Sequence, residues 1–384
     1  MSELRAPLRD LLAFVRELYG AGTIPLHAPV FAGNEKRYLA ECIDTTFVSS
    51  VGPFVDRFEG MVCEITGARH AVATVNGTAA LHMALILASV QEGDEVITQP
   101  LSFVATCNAL AYQGAQPVFV DVDPDTLGLS PAALQQFLES QCERVGDACR
   151  NRTTGRRVAG VVPMHTFGLP GRVQELADLC ARWNLALIED AAESLGSSVG
   201  GRHTGTFGRV GTFSFNGNKT VTSGGGGCVV MDDAVLARRA KHLTTTAKVP
   251  HRWNFFHDEV GYNYRLPNLN AALACAQLEQ LEGFLRNKRE TAQAYAAQCA
   301  RLGIPLLQER PGTRSNYWLN AVLVEDAAER DLFLAAANDG GIMARPVWQL
   351  MPDLPAFASS HSGPLPHARA AADRIVNLPS SVRP

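Results

Sequence analysis

The sequence predicts an α/β protein, a mostly parallel sheet covered by helices on both faces and joined to a smaller C-terminal α+β domain. Two observations carry that expectation. From His70 onward, short β-branched runs alternate with helical runs, which is the pattern of a parallel sheet built through crossovers. Beyond it, a long helical pattern from Leu269 to about Leu302 leads into weaker motifs, the strand-like RSNYWLNAVLV (314–324) and GGIMARPVW (340–348). At 384 residues the chain exceeds what one core usually organises. The divisions expected are an N-terminal helical segment (1–50), a large domain carrying the site (51–268), and a bridging helix with the small domain (269–384).

Taken in order, Leu8, Leu11, Leu12, Val15, Leu18 and Tyr19 share one helical face, so residues 8–19 read as an amphipathic helix before the Gly20–Gly22 break. Further helices are expected over Glu35–Thr46 and Pro53–Thr66, the second opened by proline and stopped by Gly67. Then come HAVATV (strand) and Thr78–Val90 (helix), DEVITQ and Phe103–Gln113, and PVFVDV and Pro131–Ser140. Residues 141–157 are polar and basic and read as a surface excursion. VAGVVPM resumes the sheet, Val173–Trp183 is helical, and LALIED follows as a strand. The glycine-rich stretch 196–210 reads as a loop on the site rim. VGTFSF and GCVVMD are strands, and a helix runs from Asp233 to about Leu243. The segment HLTTTAKVPHRWNFFHDEVGYNYRLPN (242–268) is a long irregular connection, and connections of that length usually serve function.

Composition narrows the function. Net charge is -4 with 19% charged residues and no dense basic cluster, which argues against nucleic acid as a partner. Nine cysteines are scattered without a CxxC pair, the pattern of reduced thiols in a cytoplasmic protein. Ten histidines show no metal-ligand spacing, so no metal is expected. The N-terminus lacks the apolar core of a secretion signal, and no run reaches the ~18 apolar residues of a membrane span, so a soluble protein is expected.

The chemistry centres on 211–230, GTFSFNGNKTVTSGGGGCVV, in which Lys219 sits between amide and hydroxyl side chains and is backed by glycines. A lysine so placed can form a Schiff base with a cofactor carbonyl, and Ser214 is near enough in sequence to bind a phosphate. Upstream, EDAAESLGS (189–197) follows an apolar strand and puts Asp190 at its C-terminal end, where open α/β sheets bind ligands. A carboxylate there can pair with a pyridinium nitrogen, the requirement of a pyridoxal phosphate site. In NGTAAL (76–81), Gly77 and Thr78 open a helix after a strand; this is either an ordinary cap or a phosphate site. Phe103 is either core or a stacking platform. His165 is either a hydrogen-bonded strand-end histidine or part of the site. Lys248, His251, Arg252 and Arg345 are either surface charges or contacts to a diphosphate or carboxylate.

Together with MHTFGLPG (164–171), GDEVITQPLSFVATCNAL (93–110), SFNGNK (214–219) and GYNYRLPNLNAALACAQL (261–278), these motifs resemble the DegT/DnrJ/EryC1/StrS sugar aminotransferases. The resemblance implies the aspartate aminotransferase-like fold type I and pyridoxal 5'-phosphate held covalently on Lys219, with pyridoxamine 5'-phosphate as the other cofactor form. It also implies Asp190 at the ring nitrogen, Phe103 stacked on the ring, Glu193 beside the phenolic oxygen, and Gly77, Thr78 and Ser214 at the phosphate. Asn263 would reach the partner's cofactor in a homodimer with shared active sites. Glutamate would be the amino donor. IPLHAPVFAGNEKRYLAECIDTTFVSSVGPFVDRFE and HLTTTAKVPH resemble the bacillosamine- and legionaminic-acid-type subgroup, implying a UDP-linked 4-keto-6-deoxy-N-acetylhexosamine as acceptor and a place in bacterial surface-glycan synthesis. A GDP- or dTDP-linked keto sugar is the alternative, and a non-catalytic cofactor-binding regulator a further one. Related dehydratases carry histidine at the lysine position, which Lys219 argues against. The chain departs from the family pattern twice: Gly224–Gly227 replaces the common Gly-Glu-Gly-Gly, and Glu193 stands where many members have Gln or His.

Overall fold

The computed structural model describes residues 4–383. The chain opens with α1 (Ala6–Tyr19), α2 (Glu35–Asp44) and α3 (Pro53–Thr66), the last closed by Gly67 in the left-handed region at φ 76°. Next come β1 (His70–Thr74), α4 (Gly77–Leu87), β2 (Glu95–Thr98), α5 (Val104–Tyr112), β3 (Gln116–Phe119) and α6 (Pro131–Gln141). Asn76 caps α4 by accepting from Ala79 N–H at 2.8 Å, and Ser130 caps α6 ahead of Pro131. The polar stretch expected as a surface excursion is instead a hairpin, β4 (Cys142–Val145) and β5 (Ala148–Asn151), paired antiparallel with the first residues of β6 (Arg157–Val162). Its polarity is that of a solvated edge, and Cys142 and Cys149 supply the buried side. After α7 (Val173–Trp183), β7 (Ala186–Asp190) brings the chain to Asp190.

The glycine-rich stretch expected as loop holds two short strands, β8 (Ser198–Val199) and β9 (Arg202–His203), before β10 (Val210–Ser214) and β11 (Gly227–Met231). Following α8 (Ala234–Thr244), the irregular connection contains a small hairpin of β12 (Lys248–Val249) and β13 (Phe256–His257). The bridging pattern is two helices, α9 (Asn268–Leu278) and α10 (Leu281–Leu302), because the helical run breaks at Glu279–Gln280. The chain finishes with β14 (Thr313–Arg314), β15 (Asn320–Leu323), α11 (Ala327–Asp339), β16 (Arg345–Pro346), α12 (Pro366–Arg374) and β17 (Ile375–Leu378). β14 pairs with β8, so the rim strands are held by the C-terminal part of the chain. Of RSNYWLNAVLV, only the second half is the β15 strand.

The main sheet runs β1-β11-β10-β7-β6-β2-β3. β11 is antiparallel to both neighbours, and the remaining pairs in that path are parallel. All strands of this path except β11 therefore point one way, and their C-terminal ends form one edge. Apolar side chains from α2, α3 and α9 cover one part of the sheet, and those of α4 and α8 another. α1 packs away from this sheet. Its Leu8, Leu11 and Val15 join Tyr295 and Cys299 of α10, Phe333 of α11, and Val376 and Leu378 of β17. Burying these three α1 side chains at about 1.5–3 kcal/mol each holds the helix against that cluster.

Candidate active site

At the C-terminal edge of the parallel strands lies a cavity of about 290 Å³. It is lined by Asn76, Gly77 and Thr78 from the start of α4, Phe103 before α5, Asp190 and Glu193 after β7, Ser214 at the end of β10, and Lys219. These residues arrive from four different strand ends, those of β1, β2, β7 and β10. That is why residues more than a hundred positions apart in sequence share one small space.

Lys219 extends toward Glu193, with Nζ 3.4 Å from Oε1, and lies 4.2 Å from the centre of the Trp318 ring. Trp318 is held from two sides. Its indole N–H donates to the Asn218 carbonyl at 2.7 Å, and its own carbonyl accepts from the buried ammonium of Lys288 at 3.2 Å. Burial pushes Lys288 down to about 7.

Asp190 is buried and fixed by two donors. Thr106 Oγ1 donates to Oδ2 at 2.7 Å, and Ala192 N–H donates to Oδ1 at 3.1 Å. Burial raises its carboxyl above the ordinary value, opposed by those two hydrogen bonds and by Lys219 and His165. Glu193 is buried too. Burial pushes it up to about 7, opposed by Lys219 and by Phe167 N–H, which donates to Oε2 at 2.9 Å. Phe167 presents that N–H from a left-handed backbone (φ 59°), a costly conformation for an aromatic residue and one that clusters at functional sites.

The cavity fits pyridoxal phosphate by its own chemistry. At one end the first N–H groups of α4 have no carbonyl in their own helix, and the helix dipole favours an anion there. Ser214 lies against this helix start so closely that a Cβ on Gly77 would stand 2.8 Å from Ser214 Cβ. At the other end is a buried acid, Asp190. A cationic ring nitrogen beside it would offset the burial that now raises its carboxyl. A primary amine and the half-exposed Phe103 ring complete the lining. In the glycine run, a Cβ on Gly227 would strike the Asn76 carbonyl at 2.3 Å, whereas one on Gly225 would find its nearest neighbour at 3.9 Å. The position that departs from Gly-Glu-Gly-Gly is thus the one with room for either residue.

Comparison with known proteins follows the same line. Residues 30–383 match the model of the DegT/DnrJ/EryC1/StrS aminotransferase family. The chain belongs to that family. It is similar to a GDP-perosamine synthase from Escherichia coli O157:H7, 36% identical over 357 residues covering 93% of each chain, and to one from Vibrio cholerae, 35% identical over 360 residues covering 93% and 94%. Among solved structures, it resembles the aminotransferase TlmJ from Streptoalloteichus hindustanus (TM-score 0.84, 29% identity, 94% of both chains). It also resembles DesI solved with its TDP-sugar product (TM-score 0.81, 28% identity, 97% and 91% of the two chains). The protein is therefore a sugar aminotransferase of the pyridoxal phosphate-dependent kind.

Not every residue expected at the site of this aminotransferase lies there. His165 is not part of the cavity lining. Its Nδ1 accepts from Gly171 N–H at 3.1 Å and its Nε2 faces Glu189 of β7 at 3.1 Å, so both ring nitrogens are occupied, one by the segment ahead of α7 and the other by β7. Lys248, His251 and Arg252 belong to the β12–β13 hairpin, outside the cavity. Lys248 Nζ rests 3.9 Å from the centre of the exposed Phe255 ring, and His251 Nδ1 accepts from Trp253 and Asn254 N–H. Asn263 also lies outside this chain's own cavity, and its Oδ1 accepts from Arg265 at 3.1 Å. Arg345 lines a neighbouring cavity of about 400 Å³ that shares Asn218, Trp318 and Trp348 with the first. Sequence reasoning missed Trp318, Trp348 and Thr106. The first two lie in RSNYW and ARPVW, motifs visible in the sequence but with nothing local to bring them 100 residues back to Lys219.

Among the described residues no helix is long and apolar enough to cross a membrane.

Proposed function

We propose that this aminotransferase moves an amino group from glutamate to the ring carbonyl of a GDP-linked 4-keto-6-deoxy sugar, with Lys219 as the amine that holds the cofactor. The observation that carries the reading is the convergence of Lys219, Asp190 and Glu193 with the α4 start in one cavity. Similarity to two GDP-perosamine synthases supports GDP over the UDP-linked N-acetylhexosamine that the N-terminal motifs imply. When bound, the cofactor supplies an aldehyde that captures the amine and a ring that accepts the electrons released as the donor loses its Cα proton. The chain does the rest. Gly77, Thr78 and Ser214 hold the phosphate, Asp190 keeps a proton on the ring nitrogen, and Phe103 supports the ring face. Lys219, released as a free amine, moves the proton.

A homodimer with shared sites completes the proposal, with Asn263 acting at the partner's cavity. It is supported by Asn263 lying outside its own cavity and by exposed Trp253, Phe255 and Phe256 on the adjacent hairpin, apolar surface that a partner would cover. The test is to bleach the yellow holoprotein with glutamate, remove excess donor, and offer GDP-, UDP- and dTDP-linked 4-keto-6-deoxy sugars. Colour returns and amine forms with the GDP-linked sugar. Turnover confined to a UDP- or dTDP-linked sugar contradicts the acceptor, and failure to bleach contradicts the transaminase reading.

A further inference from the structure

From the geometry around Lys219 we infer that Glu193 is a proton partner of the catalytic amine, and not solely a contact to the cofactor. The inference rests on the function proposed above and assigns a second group to its proton transfers.

Three observations support it. First, Glu193 Oε1 lies 3.4 Å from Lys219 Nζ, and no other side-chain carboxylate of the described residues forms an ion pair with that amine. Second, the two carboxyl oxygens have separate work. Oε2 accepts from Phe167 N–H, which orients the group and leaves Oε1 turned to the lysine. Asn316 anchors the same residue through its backbone, donating to the Glu193 carbonyl at 2.8 Å. Third, close packing fixes the position. Gly168 has φ 88°, and a Cβ there would stand 1.9 Å from Asn316 Oδ1 and 3.0 Å from the Glu193 carbonyl.

The charged groups facing Glu193 are Lys219, from the β10–β11 connection, and Asp190, from the end of β7; the first favours its ionised form and the second its neutral form. With burial, they leave the carboxyl titrating near neutrality, the range in which a general acid–base group works best. The step is a plain proton transfer. Lys219 acts as a base only as the free amine: an ammonium N–H bond breaks and an O–H bond forms on the Glu193 carboxylate, leaving amine and carboxylic acid. The reverse transfer breaks that O–H bond and re-forms the N–H bond, restoring carboxylate and ammonium. No oxidant or further reactant is needed.

Two measurements on the full-length protein test this. In the apoprotein, trace acetylation at fixed neutral pH, read by peptide mass spectrometry, gives the reactivity of the Lys219 amine. Glu193→Gln removes the anion beside the ammonium and raises that labelling rate several-fold. In the holoprotein, the single-turnover rate with glutamate has an ionisation near pH 7 that Glu193→Gln abolishes, with the rate reduced about 100-fold and the glutamate half-saturation little changed. Glu193→Asp keeps the carboxylate, restores part of the rate and retains an ionisation. An unchanged Lys219 labelling rate together with a surviving neutral ionisation in Glu193→Gln overturns the inference. If glutamate fails to bleach the wild-type holoprotein, the proposed function falls, while the apoprotein labelling still reports whether Glu193 and Lys219 are coupled.

Discussion

Glu193 shows how a single side chain can work against the stability of the fold. Its folded carboxyl titrates near 7 against an ordinary 4.5, so between those values the native state holds a proton that the unfolded chain has released. Stability from this group therefore falls as pH rises through that window and stays reduced above it. Glu193→Gln is accordingly expected to raise the melting temperature at mildly alkaline pH, with the gain shrinking as the pH is lowered through the same window. Differential scanning calorimetry of both proteins at several pH values checks this. Gly77 carries a different constraint. A methyl group there meets Ser214 at 2.8 Å, so Gly77→Ala should leave the secondary structure intact and weaken pyridoxal phosphate binding about tenfold or more, as measured by titration of the apoprotein. Lys219 and Asp190 were legible in the sequence because an amine in a glycine-rich turn and an acid at a strand end are what the cofactor chemistry requires. His165 was ambiguous because a histidine hydrogen-bonded within the fold and one lining a site leave the same local signal. Only its pairing with Glu189 and Gly171 separates them.

At the scale of elements, the alternation from β1 to β7 was readable because a buried parallel strand needs a continuous apolar run and its crossover helix an apolar face. The hairpin of β4 and β5 was not readable, since an edge strand wet on one side looks like a polar loop. β8 and β9 were hidden by their glycines, and their partner β14 lies more than a hundred residues onward. The break between α9 and α10 was missed because Glu279 and Gln280 are ordinary helix residues, and neither glycine nor proline marks the stop. The segment Thr166–Gly168 depends on two left-handed residues in succession, Phe167 and Gly168. Gly168→Ala is expected to destabilise the protein by about 2 kcal/mol or more, through the unfavourable φ and the clash with Asn316. By displacing Asn316 it should also disturb Glu193 and weaken cofactor binding. Denaturant unfolding of the apoprotein and a cofactor titration measure the two effects separately.

Across the whole molecule, the placement of the cavity follows from sheet direction. Because every strand of the main path but β11 runs the same way, helix starts and strand ends meet at one edge, and the C-terminal part of the chain closes over it through Trp318 and Trp348. That closure was invisible in the sequence, since it depends on contacts between segments a hundred residues apart. If active sites are shared between two chains, Lys219→Ala and Asn263→Ala should each be nearly inactive alone. Co-refolded in equal amounts they should regain about a quarter of wild-type activity, because half of the dimers then hold one intact site. A mixture that stays inactive would place Asn263 outside the partner's site.

The central claim is that Lys219 is the amine bonded to the cofactor. Borohydride reduction of the yellow holoprotein, followed by proteolysis and mass spectrometry, tests it most directly. The expected result is a single pyridoxyl-modified peptide, with the label on Lys219 and none in Lys219→Ala. A label on any other lysine, or a reducible adduct that persists in Lys219→Ala, would contradict the account.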